Sequence, residues 1–381
     1  MSVWDAVVGQ ERAVAVLQRA VRRQHERSGL AHAWLVTGPP GSGRSVAARA
    51  FAAALQCPED GCGRCHDCRE ALAGSHPDVT LLATDEMQLR KDVVVDLIRR
   101  AAVAPTRGRW VVVVVEDADR LNDMTANMLL REVEEPPPHT VWVLCAPFPE
   151  DLLPTIRSRC RVVTLGVPRA GAVADVLVAR HGISPGEAAW AAAASQGHIG
   201  VARRLALDPD ARRRRREVLQ TPSRAVGVPG AVQAAQELRD IATEESTAAV
   251  EAAQEEQNAE WLRMMGVATP EELPRQVRTQ WRELQESHKR QARRSATDGL
   301  DRALLDLLSL YRDVLVVQAG SSVPLVNADM RADVEGLARR SSPADVLRVC
   351  DTITTTRRRL TQNAALPLAL EGMTVQLGES T

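Results

Sequence analysis

Lysine is almost missing from this chain: of 48 basic residues only Lys91 and Lys289 are lysine, and the rest are arginine. An arginine where lysine is customary therefore says less here than in a chain of ordinary composition. Apolar runs of the roughly 18 residues that cross a bilayer are absent, which excludes a membrane-spanning helix. Net charge is lacking too, since 48 basic against 49 acidic residues leave −1. The chain as a whole is no polyelectrolyte drawn to phosphate or anionic lipid, and any nucleic-acid contact is local. The opening MSVWDAVVGQERA carries Asp5 and Glu11 and has neither the basic start nor the apolar stretch of an export signal. Seven cysteines without such a signal, four of them between Cys57 and Cys68, point to a metal site in a reducing, cytoplasmic compartment rather than to disulfides.

With 381 residues, 45% of them hydrophobic and 25% charged, the chain has room for two to three soluble domains. Residues 33–37, AWLVT, form a short apolar run, followed by a glycine loop and by SVAARAFAAAL, which has helical spacing and high helix propensity. Trp110–Val115 and Thr140–Cys145 are β-branched runs, and between them Leu121–Glu135 reads as a helix stopped by three prolines. Alternating strand and helix predicts an α/β core, a parallel sheet flanked by helices. From about Pro168 strand signals vanish, and the alanine-rich segment to about Asp208 fits a small helical bundle. Residues 220–230, rich in proline and glycine, read as a linker. The stretch 231–297, dense in Glu, Gln and Arg, suits long exposed helices or partial disorder, and Leu300–Val317 suits a buried helix. Arg212–Arg216 is a run of five arginines, either a solvated helix face or a nucleic-acid contact.

Three motifs carry chemistry. The segment Gly38–Ser45, GPPGSGRS, matches the phosphate-binding P-loop at Gly38, Gly43 and Ser45, with Gly41 inside it and Arg44 in place of the lysine. In such a loop inward backbone N–H groups and the helix N-terminus hold phosphate, and arginine, longer and planar, reaches those oxygens differently from lysine. WVVVVVEDAD resembles a Walker B strand, with Glu116 in the place of the usual magnesium-binding Asp and Asp117 in that of the usual catalytic Glu. Cys57, Cys62, Cys65 and Cys68 have the spacing of a closed four-thiolate shell; structural Zn²⁺ fits it, with an iron–sulfur cluster as the competing reading. His66 and His76 nearby read as loop residues rather than ligands, and Cys145, Cys160 and Cys350 as core residues.

The ordered set VVGQERA, HAWLVTGPPGSGRS, the cysteine module, APTRGRWVVVVVEDADRL, NMLLREVEEPPP and LLPTIRSRC resembles the clamp-loader branch of the AAA+ family over about residues 1–210. The resemblance implies a P-loop core at 1–167 with the zinc module at 57–68, and a three-helix lid at 168–210. A helical oligomerisation collar follows at 211–381, carrying a charged insertion at about 231–297. It also implies that Arg159 is an arginine finger offered in trans to a neighbouring motor subunit. The partners implied are gamma/tau-type motor subunits and delta in a hetero-pentameric ring, with a sliding clamp and primed DNA reached through the ring, in a DNA polymerase III holoenzyme. Measured against the motor pattern, Arg44 replaces the P-loop lysine, Ala146 and Pro147 stand where the sensor 1 polar residue would be, and Gly200 stands at the sensor 2 arginine. These departures imply a stator-type subunit that binds ATP and Mg²⁺ weakly or not at all and does not hydrolyse ATP. The rival readings are an ATP-hydrolysing gamma/tau-type motor and a DNA-binding role for Arg212–Arg216.

Overall fold

The three apolar runs become the middle of a five-stranded parallel sheet. The computed structural model describes residues 2–25, 30–83, 88–264, 267–273, 278–361 and 366–379. The strands are β1 (Ala33–Thr37), β2 (Val79–Leu82), β3 (Val111–Val115), β4 (Thr140–Ala146) and β5 (Arg161–Thr164), in the order β2-β3-β4-β1-β5. Side chains alternate across a strand, so each strand feeds two cores. Trp34, Val36, Val112, Val114, Val143 and Cys145 face α1 (Glu11–Arg22), α2 (Arg44–Gln56) and α3 (His66–Ala73). Leu35, Val113, Val115, Trp142 and Leu144 face α4 (Lys91–Ala101) and α5 (Asp123–Glu134). Helix α2 lies close against the sheet because almost every inward position is alanine, leaving Phe51 to meet Trp34 edge-on at 5.0 Å. Asn122 caps α5, its side chain accepting the Thr125 N–H at 3.0 Å.

The chain divides into two compact units, Met1–Ala206 and Leu207–Thr381. The first unit adds the short α6 (Pro154–Arg157) before β5, and closes with α7 (Ala170–His181), α8 (Pro185–Ala194) and α9 (Ile199–Leu207).

The second unit is helical: α10 (Pro209–Leu219), α11 (Thr221–Arg224), α12 (Gly227–Met264), α13 (Arg278–Gln318), α14 (Arg331–Arg340), α15 (Pro343–Thr361) and α16 (Leu366–Glu379). Of the charged stretch, residues 231–264 lie on α12 and 278–297 on α13, which pack antiparallel, Gly299 against the Ala242 carbonyl and Gln285 donating to Asn258 at 2.9 Å. Residues 220–230 are not a linker. Pro222 starts α11 instead of breaking the chain, and Thr221 and Ala225 are buried in the unit's core. The run Arg212–Arg216 is not a free basic face either. Arg213 pairs with Asp210 and Glu217, Arg214 with Asp208 and Glu245, Arg215 with Asp306 and Asn327, and Arg216 lies 3.9 Å from Asp329.

Candidate functional site

The P-loop sits where β1 gives way to α2, at the carboxyl edge of the sheet, the usual place for a ligand in an open α/β fold. Gly38, Gly41 and Gly43 all have positive φ, of 153°, 81° and 90°, which bends the loop into a cradle. At Gly41 space is also short, because a Cβ would fall 2.4 Å from the His198 ring at the head of α9. Arg44 does not reach out over the loop: its Nη1 donates to the loop's own Gly38 carbonyl. Ser45 follows in the first turn of α2.

Glu116 and Asp117 follow β3 on the same edge as the loop, with β4 between β3 and β1. Glu116 is mostly buried and accepts an ion-paired hydrogen bond from Arg49 Nε at 2.6 Å. Asp117 lies 3.9 Å from Arg120, and burial, followed by the Asp117 charge, raises the neighbouring Asp119 carboxyl. Ala146 ends β4 fully buried, so no polar side chain faces the loop there; the Pro147 carbonyl instead accepts the Gly38 N–H at 3.1 Å. Gly200 lies in α9 beside His198.

Sequence reasoning missed Arg49, His198 and Gln10 as neighbours of the loop. Gln10 is buried and donates to the carbonyls of Ser42 and Gly166 at 3.2 and 2.7 Å. Arg44 and Arg49, five residues apart on α2, lie about 140° apart around the helix, so no local spacing pointed to Arg49.

Arg159 lies elsewhere. It precedes β5, whose first residue Arg161 pairs with Trp34 near the start of β1, so it stands at the amino edge of the sheet, away from the P-loop. Its guanidinium bonds Thr155 O and Ser158 Oγ at 2.9 and 3.2 Å and Glu134 at 2.6 Å, and it remains partly exposed. Arg157 lies 3.4 Å from Glu150.

The four thiols converge. The sulfurs of Cys57, Cys62, Cys65 and Cys68 lie within 4.8 Å of one another, and Cys57 and Cys65 are 3.8 Å apart. A tetrahedral shell with bonds of about 2.3 Å places sulfurs about 3.8 Å apart, so the spacing fits a metal such as zinc. Backbone N–H groups point at the sulfurs, Cys62 and Glu59 at Cys57, Cys65 at Cys62 and Cys68 at Cys65, all at 3.3–3.4 Å. Such bonds favour thiolate: those from Arg64 and Cys65 bring Cys62 down to about 6. Burial pushes the Cys65 and Cys68 thiols up instead.

His66 is not in a loop but opens α3 and pairs with Glu70, while His76 is a buried loop residue. Asp67, Glu70 and His76 also cluster. Arg107 already bonds both carboxylates, and His76 Nδ1 accepts the Asp78 N–H at 3.1 Å, which leaves the proton of a neutral ring on Nε2. The group is therefore an internal ion pair rather than a second metal shell. Burial, with Arg107 next, lowers the His76 pKa.

Residues 9–168 match the family model described as DNA polymerase III, delta subunit, and residues 296–373 match that of the delta subunit, C terminal. These two stretches are thus similar to the DNA polymerase III delta subunit. Among curated relatives, the DNA polymerase III subunit delta' of Pseudomonas aeruginosa is 38% identical over 161 residues, covering 41% of this chain and 47% of that protein. The delta' subunit of Escherichia coli is 37% identical over 143 residues, covering 36% and 43%. A gamma/tau subunit of Mycobacterium tuberculosis is 34% identical over 158 residues, covering 40% and 27%. The matched part thus spans less than half the length of each. A crystal structure of a DNA polymerase III, gamma subunit-related protein from Thermotoga maritima aligns over 97% of this chain and 99% of that chain, with 14% identity and a TM-score of 0.46. The first unit holds the parallel sheet flanked by helices that the motifs predicted, and no described helix is long and apolar enough to cross a membrane.

Proposed function

We propose that the chain acts as a delta-prime-type stator subunit of a DNA polymerase III clamp loader. In this reading it joins gamma/tau-type motor subunits and delta in a hetero-pentameric ring that loads a sliding clamp onto primed DNA. It offers Arg159 to the neighbouring motor's nucleotide and turns over no ATP itself. The observation that carries the proposal is the opposite disposition of two arginines. Arg44 is folded onto its own P-loop, whereas Arg159, paired with Glu134 and partly exposed, stands at the other edge of the sheet, a position that suits a nucleotide held by another chain better than one in this loop. Buried Ala146, without a polar group, and Gly200, without a cation, support the lack of turnover. The fit of the four sulfurs supports Zn²⁺, which when bound closes the loop 57–68 as a structural cross-link.

The relatives named gamma/tau favour a second reading, an ATP-hydrolysing motor. Steady-state hydrolysis by the purified chain separates the two. The stator reading expects a rate at the background of a contaminant control, with Arg44→Lys no faster because Ala146 and Gly200 remain. Robust turnover by the wild type overturns it in favour of the motor.

A further inference from the structure

We propose that the cysteine module fastens the first ten residues as a strap, and that through this strap a bound zinc ion fixes the turn between β5 and α7 and the P-loop beside it. The proposal rests on the zinc reading above. At the near end, the loop between Cys57 and Cys62 presents two carbonyls to the strap. Gly61 O accepts Ser2 Oγ at 2.9 Å and the Val3 N–H at 3.0 Å, and Asp60 O accepts Trp4 Nε1 at 3.2 Å. Val3 and Trp4 are buried there. Gly61 has a φ of 104°, and a Cβ on it would fall 2.7 Å from Val3, so the carbonyls are presented by a glycine-dependent turn set between Cys57 and Cys62.

In the middle, the Asp5 carbonyl accepts Arg180 Nη2 of α7 at 2.7 Å. At the far end, the buried Gln10 amide ties two segments together. Its Nε2 donates to Gly166 O and Ser42 O, and its Oε1 accepts the Gly166 N–H at 3.0 Å. Gly166 lies in the turn between β5 and α7, and Ser42 in the P-loop. Val7 is buried between these anchors, and Gly9 packs against Pro168. Among the described residues no hydrogen bond joins the cysteine loop directly to Gly166 or Ser42; α2 links the module to the P-loop, and the strap adds the route by which metal-dependent folding of a small loop bears on the turn at Gly166. Zinc-site binding energy is local folding energy, and the strap extends the region it orders.

Hydrogen exchange read by mass spectrometry, with zinc content measured alongside, tests this on the full chain. Removing zinc from the wild type should speed exchange in residues 2–10 and 165–181 on the order of tenfold, as when one or two ordinary hydrogen bonds are lost together. Protection of β4 should persist. Trp4→Ala should keep one zinc per chain and yet loosen 165–181 in the same direction; Trp4→Phe, which loses only the Asp60 bond, should do so less. If chelation deprotects β4 as well, the zinc-loaded Trp4 variants decide. Chelation effects confined to residues 57–74, or zinc-loaded Trp4 variants as protected at 165–181 as the wild type, overturn the strap. Wild-type protein that takes up no zinc overturns the metal reading, and with it this proposal.

Discussion

Arg44 and Arg159 are the same residue type and differ only in what surrounds them. Arg44 spends a donor on the Gly38 carbonyl of its own loop, and Ala146 offers no polar side chain to a phosphate there. Restoring lysine alone therefore leaves the site incomplete, and Arg44→Lys is expected to stay at background hydrolysis in a coupled ATPase assay. Asp78 teaches the same lesson in stability. Burial alone would raise its carboxyl, but N–H groups of Thr106, Gly108 and Arg107 at 2.6–2.8 Å outweigh this and hold it below the ordinary value. A lowered folded-state pKa stabilises fully above the unfolded value of about 3.9 and is lost as pH falls through the folded one. Asp78→Asn should therefore cost about 1–3 kcal/mol in urea unfolding near neutral pH. Its gap to the wild type should close in acid; a gap independent of pH contradicts this.

Among elements, the cysteine loop and α10 carry the clearest expectations. Cys62→Ser should lower zinc below one per chain by metal analysis, and iron with visible absorbance in the wild type would contradict zinc. On α10, Arg215 is buried against Asp306 and Asn327. Removing one partner of a buried pair typically costs about 3–5 kcal/mol, so Arg215→Ala should sharply lower the unfolding midpoint of the second unit. Pairing of this kind could not be read from five consecutive arginines, because the carboxylates that absorb Arg214 and Arg215, Glu245 and Asp306, are far away in sequence. The buried strands β1, β3 and β4 were legible as unbroken apolar runs, and α5 from its spacing and prolines. The edge strands β2 and β5 were not, since each has only four residues and β5 buries only Val163. The proline and glycine of 220–230 misled for the opposite reason: they shape turns inside a core as well as between cores.

In the whole molecule, the glycine loop, the four thiols and the acidic end of β3 were legible as motifs because their spacing is short and local. What joins those motifs was hidden. Gln10, Trp4 and Arg49 act through contacts more than thirty residues away, which no local pattern records. The second unit was legible only as helices, since α12 and α13 are long and charged without a motif. In the function proposed above, this chain serves its neighbour's nucleotide and not its own. The direct measurement is steady-state ATPase, stimulated by primed DNA and clamp, in a ring reconstituted with motor and delta subunits and carrying wild-type, Arg159→Ala or Arg157→Ala protein. Arginine fingers contribute about 10³-fold or more at the site they serve. Arg159→Ala should enter the ring normally by size-exclusion chromatography and lower the stimulated rate by the share of the one site it faces, with Arg157→Ala near wild type. A ring that assembles with Arg159→Ala and hydrolyses ATP at the wild-type rate contradicts the account.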